Sequence, residues 1–549
     1  MEETMRPRIT SAVFFFLALA IVATGALAQK APRKMHMHGA GPGAGPGPAP
    51  ADPAVIPGGP PNYIPSSAPV QGMWRTLTYG APLNPVHVAL LRTGKILAIG
   101  GSSNYPGNNV LAAGVWDPKS EQFRTFNIDT DMFCNGMVIL PDGRPFVIGG
   151  TKSYDKSPSG FFQGLSSTAL FDPITEKFSA GPNMSDGRWY PTATVLPNGK
   201  VMAISGLTSV GSWLNSDVEV YDPATNKWSA AGTAWGAPKF DTLEYFPRQH
   251  VLPNGKVFNS GWNPDTQMWD PATHTWTPVA TTRFGMMRIY GSSVLLPLTP
   301  ANGYKPRVII FGGSSNNASN ENVAATPTSE TIDLSEAKPK WSWGPTMVAG
   351  RIEMNATMLP TGKVLVSGGS VFDENESTAV LPAELYDPES NTLSAAGLTV
   401  VPRVYHSNTI LLPDATVLSL GGNPIRGHYE GYIEIYTPAY LFRADGSLAP
   451  RANIAKHPES VTYGAKFPIS VTVPEGGSIA QVVAMRPGAV THSFNMEQRL
   501  VGLTFSASGG TLTVTAPPDA NIAPPGWYLI FVLDAKGVPS HGKFVRISG

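Results

Sequence analysis

An all-β fold, a seven-bladed propeller followed by a small β-sandwich, is what three features of the sequence predict. An apolar strand, a Pro/Asn/Asp-Gly turn and a second apolar strand ending in small residues recur seven times. Beyond about residue 443 the pattern changes to short alternating strands, PISVTV, QVVAMRP, TLTVTAP and WYLIFVL, separated by Gly/Pro turns, as expected of a sandwich. Helical periodicity is almost absent after the first thirty or so residues.

The elements follow in order. Arg6 and Arg8 precede the apolar run Ala12 to Ala28, which ends Ala26-Leu27-Ala28. This pattern predicts a secretory signal peptide over 1–28, because the run is short and closes on a small-residue cleavage site. Residues 29–68 are rich in Gly, Pro and Ala and bury too little apolar surface to fold, so they read as a linker. Within it, Lys34-Met35-His36-Met37-His38-Gly39 pairs thioethers with imidazoles, a composition that suits copper capture but more often arises by accident in a tail with no fixed geometry. No later stretch is long and apolar enough to span a bilayer, so the mature chain is expected to be exported and soluble, with a monomer as the default. Lys+Arg and Asp+Glu are both 39, so no net field recruits nucleic acid or anionic lipid. A small or neutral molecule is the expected partner.

Residues 69–442 carry the repeats. Their second-strand segments are LLRTGKILAIGG, ILPDGRPFVIGG, VLPNGKVMAISG, VLPNGKVFNSGW, PRVIIFGG, MLPTGKVLVSGG and LLPDATVLSLGG. Closing turns follow as VWDPKSEQF, LFDPITEKF, VYDPATNKW, MWDPATHTW, LYDPESNTL and the divergent IYTPAYLF, and the fifth copy lacks a clear one. The period, roughly 50 to 56 residues, is that of kelch repeats, each supplying one four-stranded blade. Residues 443–549 are expected to form the immunoglobulin-like sandwich.

Aligning the copies on their terminal glycines, Gly150, Gly206 and Gly422, places Cys134, Tyr190 and His406 at one shared position. Equivalent positions in a propeller are related by rotation about its axis, so a thiol, a phenol and an imidazole converge on one opening. Tyr405 precedes His406, and the fourth copy puts Tyr245 at the shared position. Cys134 is the only cysteine, so no internal disulfide is available to it; a buried thiol packed as a small hydrophobe is the bland alternative. Imidazole with phenolate oxygen suits Cu(II) better than zinc. A second imidazole is then needed. His87 and His250 do not share the position of His406, whereas His492, in GAVTHSFNMEQRLV of the sandwich, lies on a turn that can reach the channel.

The segments TDMFCNGMVILPDG, GRWYPTATVLPNG, VPRVYHSNTILLPD and THSFNMEQRLV resemble the signature segments of the copper radical oxidases, the group of galactose oxidase and glyoxal oxidase. The likeness covers nearly the whole mature chain. It implies one copper per chain, a Cys134–Tyr190 thioether serving as a radical cofactor, copper ligation by Tyr190, Tyr405, His406 and His492, and Tyr405 as general base. It also implies oxidation of small aldehydes or simple primary alcohols by O2, with hydrogen peroxide as product. Arg188 and Trp189 before Tyr190 resemble the glyoxal oxidase branch. The tryptophan that stacks on the cross-linked ring in galactose oxidase has no direct counterpart after Gly206. Trp213 is the nearest indole, and Tyr245 and Arg248 are further candidates for the pocket. A galactose-type carbohydrate oxidase and a non-catalytic kelch binding module stand as alternatives.

Overall fold

The computed structural model describes residues 64–103, 110–154, 162–211, 213–235, 243–315, 323–424 and 428–549. The expected signal peptide, most of the expected linker and its Met/His segment lie outside them. The described chain is almost wholly β: one four-residue helix, Ala68–Gln71, and two 3-10 turns accompany the strands. No helix among the described residues is long and apolar enough to cross a membrane.

Seven sheets take their four-stranded cores from the repeat region. In the first six, the chain runs from a fully buried first strand to a largely exposed fourth one, as Thr192–Val195 and Lys227–Thr233 illustrate. The apolar runs TATV and VMAI are continuous rather than alternating because both of their faces are covered. The turn between third and fourth strands follows from its aspartate. Asp172, Asp222, Asp270 and Asp387 each accept a hydrogen bond from the backbone N–H two residues on, at 2.8 to 3.0 Å, the Asx turn expected of this residue type. The fifth copy has this turn after all: Asp333 accepts from the Ser335 N–H at 2.8 Å, with a longer, proline-delayed return to Trp341–Trp343. The seventh copy's divergent ending also has a cause. Its outer strand is Met73–Gly80 from the other end of the repeat region, paired antiparallel with Tyr432–Thr437, so no local return strand is needed.

First strands lie beside first strands: 136–139 beside 192–195 beside 249–251, and 292–295 beside 355–358 beside 408–411 beside 87–90. Two local devices lock the segments leading into them. In the third, fifth, sixth and seventh sheets an arginine ahead of the first strand pairs with a buried glutamate of the third: Arg188–Glu219 at 2.8 Å, Arg288–Glu330 at 2.7 Å, Arg351–Glu384 at 2.9 Å and Arg403–Glu434 at 3.2 Å. The second device is the glycine pair ending the second strand. Gly150, Gly313 and Gly369 donate their N–H groups to the carbonyls of Arg188, Arg351 and Arg403 in the next sheet. The preceding Gly149, with φ +71°, sits so close that a Cβ would lie 2.1 Å from the Arg188 carbonyl oxygen. No residue with a side chain fits there.

The C-terminal region forms two sheets, one of strands 453–456, 466–472, 511–515 and 505–508, the other of 460–462, 543–548, 526–534, 479–485 and 500–503. They share a core that includes Ile469, Val514, Ile530, Val532 and Val545. From the second sheet a hairpin, Ala489–Thr491 and Phe494–Asn495, leaves the sandwich and adds to the first repeat sheet, with Val88 opposite Val490. It also touches first strands 136–139 and 408–411. The hairpin therefore enters where the repeat sheets' inner edges meet, carrying His492 at its tip.

Candidate copper site

Six residues ahead of the leucine that opens each first hairpin lies one position that repeats around the sheets: Pro85, Cys134, Tyr190, Phe246, Tyr290, Glu353 and His406. From Cys134 to His406 all six have positive φ, between 42° and 71°, a conformation costly for bulky side chains and commonest where function holds it. Neighbours are tied in series, with Tyr190 N–H donating to the Cys134 carbonyl, Phe246 N–H to Tyr190 and Glu353 N–H to Tyr290, at 2.9 to 3.0 Å. The fourth copy's member is thus Phe246, not Tyr245. Its second strand is one residue shorter, Val257–Asn259 against Val201–Ile204, so counting back from Gly261 misplaces the position by one. Tyr290 and Glu353 were not singled out in the sequence. Glu353 does keep the sixteen-residue spacing, to Gly369, whereas Tyr290 is found only from the Leu-Pro turn, which precedes the variable part of the repeat.

The hairpin tip supplies the remaining group. His492 and Ser493 have φ 45° and 68°, the two consecutive positive values of a type I′ turn that Asn-Gly ordinarily occupies. A histidine held there places its ring among those of Tyr190, Phe246, Tyr405 and His406, with centroids 4.6 to 5.4 Å away. The donor atoms of Cys134, His406 and His492 lie within 4.8 Å of one another, all buried. Cys134 Sγ is 3.7 Å from His492 Nε2. The hydroxyls of Tyr190 and Tyr405 are in hydrogen-bond contact, and Tyr290 brings a third phenol 3.2 Å from that of Tyr405. Cys134, Tyr190, Tyr405, His406 and His492, up to 358 positions apart in sequence, are brought together.

Hydrogen bonds fix which ring nitrogens serve a metal. His406 Nδ1 lies 2.5 Å from Asn423 Oδ1, and the Asn423 amide is committed to the His428 carbonyl, so the Nδ1–H donates and Nε2 carries the lone pair. His492 Nδ1 is 2.5 Å from Thr491 Oγ1, whose own proton goes to the Val86 carbonyl at 3.0 Å. The same tautomer results. Two imidazoles presenting Nε2, two phenols and one thiol form a donor set that suits copper. Burial pushes the Cys134 thiol well above its usual range, so without a metal or oxidation it is a neutral thiol. Replacing Asn423 with Ala should release the His406 ring and weaken copper binding about 10- to 100-fold, read by competition with a chelator of known affinity.

The remaining expected residues differ in where they lie. Trp213 is 45% exposed; the rings against Tyr190 include Trp189 at 4.2 Å, itself stacked on Phe162 at 4.2 Å and 12°. Tyr245, one position before Phe246, meets the Tyr190 ring edge-on at 5.5 Å. Arg248 is fully buried and donates to the carbonyls of Phe246, Gly291 and His492, which makes it a clamp on the hairpin tip. His87 brings a third imidazole, 5.8 Å from His492, which burial keeps neutral.

Comparison with known proteins agrees with this geometry. Residues 108–440 match the family description "Glyoxal oxidase N-terminus", and residues 451–547 match "Galactose oxidase-like, Early set domain". An aldehyde oxidase GLOX of Vitis pseudoreticulata is 30% identical over 546 residues, covering 87% of this chain and 98% of that protein. A galactose oxidase of Gibberella zeae is 28% identical over 512 residues, 87% and 71% of the two chains. A solved fungal alcohol oxidase of the AA5 family, in complex with copper, shares the fold with a TM-score of 0.74 at 24% identity, covering 87% of this chain and all of that one. The chain belongs to the galactose oxidase and glyoxal oxidase family of copper radical oxidases.

Proposed function

We propose that the protein is a secreted oxidase of small aldehydes, of the glyoxal or methylglyoxal type, or of simple primary alcohols, which reduces O2 to hydrogen peroxide through a Cys134–Tyr190 thioether cofactor. The observation that carries this reading is the convergence of Cys134, Tyr190, Tyr405, His406 and His492. In this reading the seven repeat sheets are seven blades around one axis over 69–442, residues 443–549 donate a ligand from the sandwich, and export follows cleavage near Ala28. The protein acts as a monomer.

Oxidising an alcohol or hydrated aldehyde removes two electrons and two protons, which leave on O2 as hydrogen peroxide. Copper, held by Tyr190, Tyr405, His406 and His492, would exchange one of those electrons and polarise the substrate oxygen. The other electron is stored on the Tyr190 ring, for which sulfur substitution and the packed rings of Trp189, Tyr245 and Phe246 lower the cost of oxidation. Tyr405 takes the substrate hydroxyl proton, supported by the Tyr290 hydroxyl at 3.2 Å. Tyr190 takes the hydrogen atom from the substrate carbon. The aldehyde preference is supported by the glyoxal oxidase match across most of the repeat region and by the aldehyde oxidase relative that aligns over nearly its full length.

The test is direct. After copper loading under air, tryptic peptides containing Cys134 and Tyr190 should appear joined and lighter by two hydrogens. Peroxide should form from glyoxal and methylglyoxal faster than from galactose. Activity confined to the hexose would sink the aldehyde reading, and an alkylatable Cys134 after prolonged copper and oxygen exposure would sink the cofactor.

A further inference from the structure

Rings pack against Tyr190 on several sides, and one line of them leads out of the site. Trp189 lies 4.2 Å from the Tyr190 ring, Phe162 stacks on Trp189 at 4.2 Å and 12°, and Tyr154 lies 5.5 Å beyond Phe162. The rings met in other directions, Tyr245, Phe246 and His492 with Tyr290 and Trp262 beyond them, are buried. Tyr154 is only partly buried, and its hydroxyl donates to Asp131 Oδ2 at 3.0 Å. That carboxylate is held in place through its other oxygen, Oδ1, which accepts from the N–H groups of Ser102 and Phe133 at 2.9 and 3.1 Å. The Ser102 hydroxyl also contacts that of Tyr154. Burial and the Asp131 charge hold the Tyr154 phenol well above its usual pKa. It is therefore protonated at neutral pH and loses an electron only together with a proton, which needs an acceptor. Trp189 differs: among the described residues its Nε1–H meets no acceptor, so an oxidised indole keeps its proton and passes the hole on. Core packing alone accounts for stacked rings; the phenol–carboxylate pair at the outer end is what fits this line to carry an electron.

Tyr190 is 2% exposed, so a bulky oxidant at the surface does not touch it. A ring that has lost its hole to a stray one-electron reduction cannot help take two electrons from a substrate. We propose that Tyr154, Phe162 and Trp189 form an electron relay through which a one-electron oxidant at the protein surface restores the oxidised state of Tyr190, with Asp131 as the proton acceptor of Tyr154. The oxidant takes one electron from the Tyr154 ring while the phenol proton moves to Asp131 Oδ2. An electron then crosses from Tyr190 through Trp189 and Phe162 to Tyr154, and the proton returns from Asp131. The oxidant has gained one electron and the Tyr190 phenolate has lost one. That the hole comes to rest on a Cys134–Tyr190 unit depends on the proposed function above; the passage from Tyr154 to Trp189 does not.

Hexacyanoferrate(III), a bulky one-electron oxidant, is the probe for the copper-loaded protein. Tyr154→Phe should slow the rise of oxidised-phenol absorption at least about tenfold and leave kcat per radical unchanged once the radical has formed. Phe162→Leu should slow it as well, and Tyr154→Trp, which keeps an oxidisable ring, should recover part of the rate. Equal rates in wild type and Tyr154→Phe at equal copper content would overturn the relay. A second arm needs neither copper nor cofactor: copper-free protein is exposed to photo-oxidised tris(bipyridine)ruthenium with a cobalt(III) ammine as the electron sink. Tryptic mass spectra should show oxidation products at Trp189, 1% exposed, in wild type and far fewer in Tyr154→Phe, while Trp213, 45% exposed, is oxidised equally in both. Trp189 untouched in wild type, or oxidised equally in both proteins, would overturn the relay. Trp189 oxidised through Tyr154 in a protein that shows no radical absorption after copper loading would instead count against the cofactor and leave the relay standing.

Discussion

Replacing Cys134 with Ser is expected to lower turnover at least about a thousandfold while leaving most of the copper bound. In the proposed mechanism the site performs two jobs at once. On the proposed function copper would be held by His406, His492, Tyr190 and Tyr405, and the two imidazole tautomers are set by Asn423 and Thr491 rather than by the thiol. On the same proposal the Cys134–Tyr190 unit would store the second electron, and a serine oxygen cannot form the thioether. The loss comes from a step made only in the reaction, so kcat should collapse more than KM rises. The residue is wholly buried, and the swap is nearly isosteric, so the fold should tolerate it at a cost of about 1–3 kcal/mol for the buried hydroxyl. Copper content, peroxide formation per copper and the visible absorption of the oxidised phenol are the measurements. A variant keeping more than a tenth of wild-type turnover at equal copper would mean that the second electron is held elsewhere.

How much of this was legible in the sequence depends on what kind of constraint wrote each residue there. The repeats were readable because their turns are local: Leu-Pro-x-Gly and Tyr-Asp-Pro fix hairpins within a few residues. Cys134, Tyr190 and His406 were reachable because three copies keep the same spacing to their glycines. Tyr245 was misplaced for Phe246 because a deletion in one second strand shifts the ruler, while the distance to the Leu-Pro turn is conserved by the hairpin itself. Tyr290 was hidden by the long Thr299–Pro306 insertion between its first and second strands. The seventh sheet's outer strand was not visible in its own copy, since pairing across more than 350 residues leaves no local mark. Arg248 departs from the repeat for a different reason. An arginine beside the site position elsewhere pairs with a third-strand glutamate, but in the fourth copy Glu244 holds the place that Arg188 holds in the third, and the cation lies two residues beyond Phe246.

That exchange gives Arg248 its task and a large expected effect. Its guanidinium donates to the His492 carbonyl at 2.7 Å, to Gly291 at 3.2 Å and to Phe246 at 3.1 Å, and lies over the rings of Trp262 and Phe494 at 5.5 and 5.2 Å. One side chain thus ties the tip of the sandwich hairpin to two repeat sheets. Burial lowers its pKa to about 9, with Glu244 opposing the shift, so it remains a cation at neutral pH. Arg248→Met keeps the volume and the ring contacts but leaves three buried carbonyls without their donor, a cost of about 3–5 kcal/mol. The strained His492-Ser493 turn has no independent preference for its conformation, so it should relax first. Copper affinity should then fall by more than the Asn423→Ala change produces, since a whole ligand moves rather than a ring rotating. Arg248→Lys, with charge but no fork, should lie between. Chelator competition and thermal unfolding with and without copper read both quantities. If Arg248→Met lost stability but bound copper as wild type does, the His492 turn would be held by the hairpin's own pairing with strand 87–90, and the sandwich would need no clamp to deliver its ligand.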